Sequence, residues 1–231
     1  MSDRSAGDAP GDSAPPSAPL QAPPPSSAVA TRRGDDGTTG LLFGGDRIPK
    51  DDPRTEAYGT IDEAVAALGV ARAELGARRR LGELPAGLAP LDEIVLRLQR
   101  ELFVVGAELA ADPRAWGRLA DGTTRVSAGM VTGLDTLLAD VERRTELPRV
   151  FVVPGETRVS AALELARTMV RRAERRAVTL ERADLVPGPH LLPYLNRLAD
   201  LLWVLARAAE QAESQRATAA RPTGPGRRRK K

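Results

Sequence analysis

An all-α fold, a five-helix antiparallel bundle flanked by two disordered tails, is what this sequence predicts. Three observations predict it. Hydrophobic residues make up 42% of the chain but aromatics only 3%, so the core is aliphatic and built mainly from good helix formers. Apolar residues recur at three- and four-residue steps in five separate stretches. Prolines fall between those stretches, at Pro113, Pro148, Pro187 and Pro189.

Residues 1–29 hold seven prolines among Ala, Ser, Gly and Asp and have little to bury, so they read as a disordered tail. From Ala30 to Pro53 the chain is glycine-rich and polar, which predicts a loop with one brief extended piece near Leu41-Leu42-Phe43. The first helix is expected over about 54–80, with Tyr58, Ile61, Val65, Leu68 and Leu75 as its stripe. The second runs over about 88–111 and the third over about 127–144. The apolar connector Val150-Phe151-Val152-Val153-Pro154-Gly155 then leads to a fourth helix over about 157–182. Pro187-Gly188-Pro189 separates it from a fifth over about 191–213. The domain organisation is therefore a bundle over 30–213 with a disordered basic tail over 214–231.

Composition excludes several chemistries. There is no Cys, hence no thiolate nucleophile, disulfide or Cys-ligated metal. The single histidine, His190, excludes a multi-histidine metal site and leaves a Ser-His-Asp triad almost no basis; a di-iron bundle would need Glu-x-x-His pairs. The pI of 9.8 belongs to the end of the chain: residues 216–231 carry seven Lys and Arg and no acid, and without them 27 basic residues face 31 acidic ones. Nucleic acid is accordingly not the expected partner, since the body is mildly acidic and aromatics are not interleaved with the basic run. No apolar run approaches the ~20 residues of a membrane span, and Asp3, Asp8 and Asp12 argue against a transit peptide. The expected setting is a soluble protein of the cytoplasm.

Four segments carry chemistry. Thr31-Arg32-Arg33-Gly34-Asp35-Asp36-Gly37-Thr38-Thr39-Gly40 combines glycines, hydroxyls and guanidiniums, a set that suits phosphate but also suits a flexible loop; the Gly-Lys-Ser/Thr of a Walker loop is absent. Ala166 to Arg176 places Arg167, Arg171, Glu174 and Arg175 on one helical face. That is either an anion site or a solvated charged face. In Tyr194 to Trp203, Asn196 and Asp200 form an i,i+4 polar pair inside an apolar helix, which reads as a buried pair with specific partners. Ala57 to Glu63 carries the acidic pair Asp62-Glu63, suited to capping or to pairing with an arginine of the fourth helix.

Taken in order, these segments closely resemble the PduO-type ATP:corrinoid adenosyltransferases. The matching pieces are Thr31 to Thr39, Arg47 to Lys50, Ala57 to Glu63, Gln99 to Gly106, Val153 to Glu156, Ala166 to Arg175 and Tyr194 to Asp200. The resemblance implies a homotrimer of five-helix bundles with ATP bound between neighbouring copies. It implies that Thr31, Arg32, Arg33, Gly34, Thr39, Gly40 and Lys50 wrap the nucleotide. Arg171, Arg172, Glu174, Arg175 and Asn196 would then hold it from the helical side, with Mg²⁺ on the phosphates. Asp62 and Arg167 take the place of the family's intersubunit salt bridge, which with Arg171 forms the catalytic set. Phe151 takes the place of the aromatic residue beneath the corrin ring of cobalamin.

The activity so implied is transfer of the adenosyl group of ATP to reduced cobalt. A flavin reductase and an adenosylcobalamin-dependent enzyme are the partners such a reaction calls for. Departures from the family pattern fall at Val65 and Ala66, where Asn and Ser are common, at Glu156 in place of glycine, at Ala199 in place of serine, and near Glu164-Leu165, where a histidine is common. They motivate an alternative: a non-catalytic bundle that binds ATP or corrinoid and delivers or senses it.

Overall fold

The structure is a computed structural model and describes residues 29–221. Of the expected tails 1–29 and 214–231, residues 1–28 and 222–231 lie outside the described residues. Helix α1 spans Pro53–Leu81, α2 Leu91–Leu109, α3 Ala128–Glu142, α4 Arg158–Glu181 and α5 Leu191–Ala212. Several boundaries have a local cause. Asp52 caps α1 by accepting from the Arg54 N–H at 2.8 Å, Pro53 supplies a first-turn residue that needs no partner, and Gly82 closes the helix in the left-handed conformation at φ 73°. Thr157 and Ser160 cap α4 reciprocally. Ser127 caps α3.

Successive helices run antiparallel. Glu56 pairs with Arg176 and Glu63 with Arg172, so α1 and α4 run in opposite directions. The bonds Glu164–Arg207 and Glu174–Asn196 do the same for α4 and α5. The pairs Asp135–Arg197 and Glu146–Gln211 advance together along α3 and α5, which therefore lie parallel, as an odd number of helices requires of one neighbouring pair. The core is aliphatic as expected. Ile61, Leu68 and Leu75 of α1, Leu98 and Leu102 of α2, and Leu195, Leu198 and Leu202 of α5 are all buried. Each such side chain contributes roughly 1.5–3 kcal/mol through area removed from water.

Two short antiparallel ladders were not expected. Strands β1 (Thr38–Thr39) and β2 (Ile48–Pro49) pair inside the N-terminal loop. Strands β3 (Val152–Val153) and β4 (Thr218–Ala219) pair across the far ends of the sequence. The second ladder revises the tail boundary: part of the stretch after Ser214 is tied to the connector before α4, because its backbone groups find partners there.

Candidate functional site

The N-terminal loop is a braced strap. Arg47 donates to the Thr38 hydroxyl at 2.7 Å and to the carbonyl oxygens of Arg33 (2.6 Å) and Thr38 (2.9 Å). The Lys50 ammonium donates to the Gly34 carbonyl at 2.7 Å. A Cβ at Gly34 would stand 2.9 Å from the Lys50 Nζ and 3.1 Å from the Thr38 carbonyl oxygen, so a side chain here would push the Lys50 ammonium aside and crowd the Thr38 carbonyl. The Asp36 carboxylate accepts from the Thr38 hydroxyl and N–H, and those bonds hold its pKa below the usual carboxylate value. Thr31, Arg32 and Arg33 are exposed, as is Gly40, whereas Thr39 is half-buried and faces the Tyr58 phenol. The strap is fixed to the bundle where Leu42 exchanges backbone bonds with Ala110 and Asp112, and where Arg118 lies 4.4 Å above the Phe43 ring. It therefore sits at the end of the bundle where α1 begins and α2 finishes.

The guanidinium row lies on the half of α4 at that same end. Arg172 and Arg176 are tied to Glu63 and Glu56 of α1. Arg171 and Arg175 point outward and have no acidic partner among the described residues; Arg175 bonds only the Arg171 carbonyl. Glu174, expected to neutralise an arginine, instead accepts from Asn196 Nδ2 at 3.2 Å. Asn196 and Asp200 are exposed, which corrects their reading as a buried pair. The buried stripe of α5 runs through Leu195, Leu198, Ala199 and Leu202, leaving these two on the outward face beside α4.

Toward the start of α4 the surface opens into a cleft of about 560 Å³ lined by Phe151, Glu164, Arg167 and Trp203. Phe151 is 91% exposed. Arg167 Nε donates to Glu164 at 2.7 Å. Arg171 follows Arg167 by one turn and Arg175 by two, so cleft and guanidinium row form one track of about 12 Å along α4.

Two expected relationships are not made within one chain. No hydrogen bond or ion pair joins residues 31–50 to α4, and Asp62 does not pair with Arg167. Asp62 lies on the outward face of α1 with Ala66 and Val70, beside a groove lined by Val70, Ala73, Ala161, Ala162 and Leu165. Val70 is 56% exposed and Leu165 47%, a patch of uncovered aliphatic surface. Sequence reasoning named Arg47 and Trp203 only as ends of matching segments, with no role, and missed the buried Arg207 behind the cleft. The one signal for Arg207 was a charge set among alanines and leucines on the buried stripe of an apolar helix.

A family model for cobalamin adenosyltransferase matches residues 29–209. A corrinoid adenosyltransferase of Citrobacter freundii is 39% identical over 182 residues, covering 79% of this chain and 94% of its own. A PduO-type adenosyltransferase from Lactobacillus reuteri has been solved as an arginine-to-lysine variant with ATP. It superimposes with a TM-score of 0.70 at 26% identity, covering 84% of this chain and all of that one. A phenylalanine-to-alanine variant of that enzyme, solved with cobalamin and ATP, superimposes with a TM-score of 0.71 at 26% identity, over 83% of this chain and 98% of that one. With its five-helix architecture and these matches along nearly the whole bundle, this chain belongs to the cobalamin adenosyltransferase family, in its PduO-type branch.

Proposed function

We propose that the chain transfers the 5′-deoxyadenosyl group of ATP to the cobalt of a reduced corrinoid, and that it does so as a homotrimer with each site shared by two copies. The observation that carries this reading is the outward pair Arg171 and Arg175, without an acidic partner among the described residues, standing one and two turns beyond the Arg167 that lines the Phe151 cleft.

The chemistry asks little of the protein in covalent terms. The Co(I) electron pair attacks C5′ of the ribose, the cobalt–carbon bond forms, and the C5′–O bond breaks with its electrons leaving on triphosphate. No protein nucleophile or general base is needed, which agrees with a chain of no Cys and one His. What remains is alignment and neutralisation of the leaving group. Arg171 and Arg175, with Arg172 beside them, supply guanidinium donors along the track. Glu174 and Asn196 fix its α5 side.

The strap would close from a neighbouring copy, since it does not reach α4 of its own chain. Thr31, Arg32, Arg33, Gly34, Thr39 and Gly40 would then present hydroxyls, side-chain cations and exposed backbone to the nucleotide, held in shape by Lys50 and Arg47. The uncovered groove at Val70 and Leu165 supports the assembly, and Asp62 beside it is placed to meet Arg167 of the next copy. A divalent ion such as Mg²⁺ is the proposed companion of the phosphates, since Mg²⁺ is commonly bound through substrate phosphate oxygens.

Phe151 is the residue proposed to lie against the corrin, where an exposed apolar ring excludes water and base from the lower face of cobalt. The substituted phenylalanine and arginine of the Lactobacillus reuteri enzyme are twenty positions apart, as are Phe151 and Arg171 here, which supports both assignments. No described helix is long and apolar enough to cross a membrane. The proposed setting is the cytoplasm, with a flavin reductase supplying the electron and an adenosylcobalamin-dependent enzyme taking the product. Anaerobic incubation with ATP, Mg²⁺ and chemically reduced cobalamin is expected to give the adenosylcobalamin spectrum. Binding of ATP without that change would favour a delivery or sensing module.

A further inference from the structure

Arg207 is 1% exposed in the middle of α5, an unusual place for a guanidinium. It forks onto Glu210 through two bonds of 2.7 Å, and its third bond, of 3.0 Å, reaches Glu164 Oε1. The other oxygen of Glu164 accepts from Arg167 Nε at 2.7 Å. Glu164 and Glu210 are also buried. Two buried carboxylates and one buried guanidinium would leave a net negative charge; Arg167 is the fourth member that brings the group to neutrality. If Arg167 swung away, an uncompensated charge would remain in a low-dielectric interior, so the network holds it. It is held by Nε alone, and among the described residues neither of its Nη groups has a partner. The Arg207 guanidinium also lies 5.7 Å from the Trp203 ring, another wall of the same cleft.

We propose that Glu164, backed by Arg207 and Glu210, is a positioning residue for Arg167: it anchors the guanidinium through Nε and turns both Nη groups toward the corrinoid cleft and the neighbouring copy. The inference rests on the adenosyl-transfer reading for the identity of the ligand. A buried ion network is a weak contributor to stability, but here Arg207, Glu210 and Glu164 fix one another's geometry, and Glu164 carries that geometry to Arg167 Nε.

The test is a double-mutant cycle of Glu164→Gln and Arg167→Ala in the full chain, read as cob(II)alamin affinity by absorbance titration with ATP present, and as KM for each substrate. The glutamine can turn an amide donor toward Arg167 Nε, where the carboxylate accepted. Glu164→Gln is expected to weaken corrinoid binding about tenfold, within the range of directly coupled pairs, with the KM for ATP unchanged. In the Arg167→Ala background the same change is expected to cost nothing further. Equal losses in both backgrounds would overturn the proposal, as would a loss shared with ATP. If Glu164→Gln loses its helical circular dichroism, Glu164→Asp, which keeps the charge but shortens the reach, enters the same cycle under the same two outcomes. A wild-type chain that binds cobalamin without turnover would count against the enzymatic reading and leave this titration decisive for the anchor.

Discussion

The backbone N–H of Ala220 donates to the carbonyl oxygen of Phe151 at 2.7 Å, beside the pairing of Val152–Val153 with Thr218–Ala219. The end of the described chain thus holds the connector that carries the cleft's most exposed ring. Ending the chain after Gln215 removes β4 but leaves α5 whole. The expected result is a several-fold rise in the KM for corrinoid, an unchanged KM for ATP, and a melting temperature within a few degrees of wild type, measured by steady-state kinetics and calorimetry.

Arg171→Ala removes a cation that has no acidic partner and is exposed, so the fold has little to lose. A charge-assisted hydrogen bond to a leaving group is worth about 1.5–3 kcal/mol, so turnover is expected to fall roughly 10- to 100-fold. Unchanged circular dichroism alongside that loss is the expected pair of results. Near-normal turnover would remove Arg171 from the triphosphate site.

Much of the fold was legible beforehand, because amphipathic period, capping residues and proline positions are local properties. Asp52-Pro53 and Thr157 mark helix starts within the chain itself. The β3–β4 ladder was not legible: two residues on each side carry no periodicity, and Thr218–Ala219 sits in a stretch whose composition reads as tail. The Asn196/Asp200 pair was misplaced because a polar i,i+4 pair in an apolar helix fits either stripe, and only packing against α4 decides which. Glu164 entered only as a departure from the family pattern and Arg207 not at all, because their bond across α4 and α5 is a property of packing. The strap and the guanidinium row were recognisable as phosphate chemistry, but their separation within one chain is a property of the fold and not of either motif.

The groove between α1 and α4 offers a test of assembly. Leu165→Glu places a charge on an exposed aliphatic patch, where it costs an isolated chain little but opposes burial against a second copy. Light scattering is expected to show a shift from the proposed trimer to smaller species with helicity retained. An unchanged trimer would place the interface elsewhere.

Glu108 gives a pH signature in the described body of the chain. One oxygen accepts from the Val126 N–H at 2.7 Å, the other makes no well-formed hydrogen bond, and desolvation by burial, outweighing Val126, Arg125 and Gly188, raises its pKa from 4.5 to about 7. The folded state therefore binds the proton more tightly than the unfolded state. Stability from this group is full below pH 4.5 and is lost as pH rises toward 7. The loss is on the order of 1–3 kcal/mol. Glu108→Gln is expected to raise the melting temperature at pH 8 by a few degrees and to flatten its dependence between pH 5 and 7. A lower melting temperature at pH 8 would contradict this.

Subunit complementation addresses the shared site most directly. Lys50→Ala loosens the strap and Arg171→Ala empties the helical side, so each variant alone is expected to turn over poorly. Co-expressed with different tags and purified as mixed assemblies, they are expected to recover about a third of wild-type adenosylcobalamin formation, because every mixed trimer, whether two-to-one or one-to-two, rebuilds one of its three sites from an intact strap on one copy and an intact α4 on the next. Mixed assemblies no more active than the separate variants would contradict a triphosphate held between two chains.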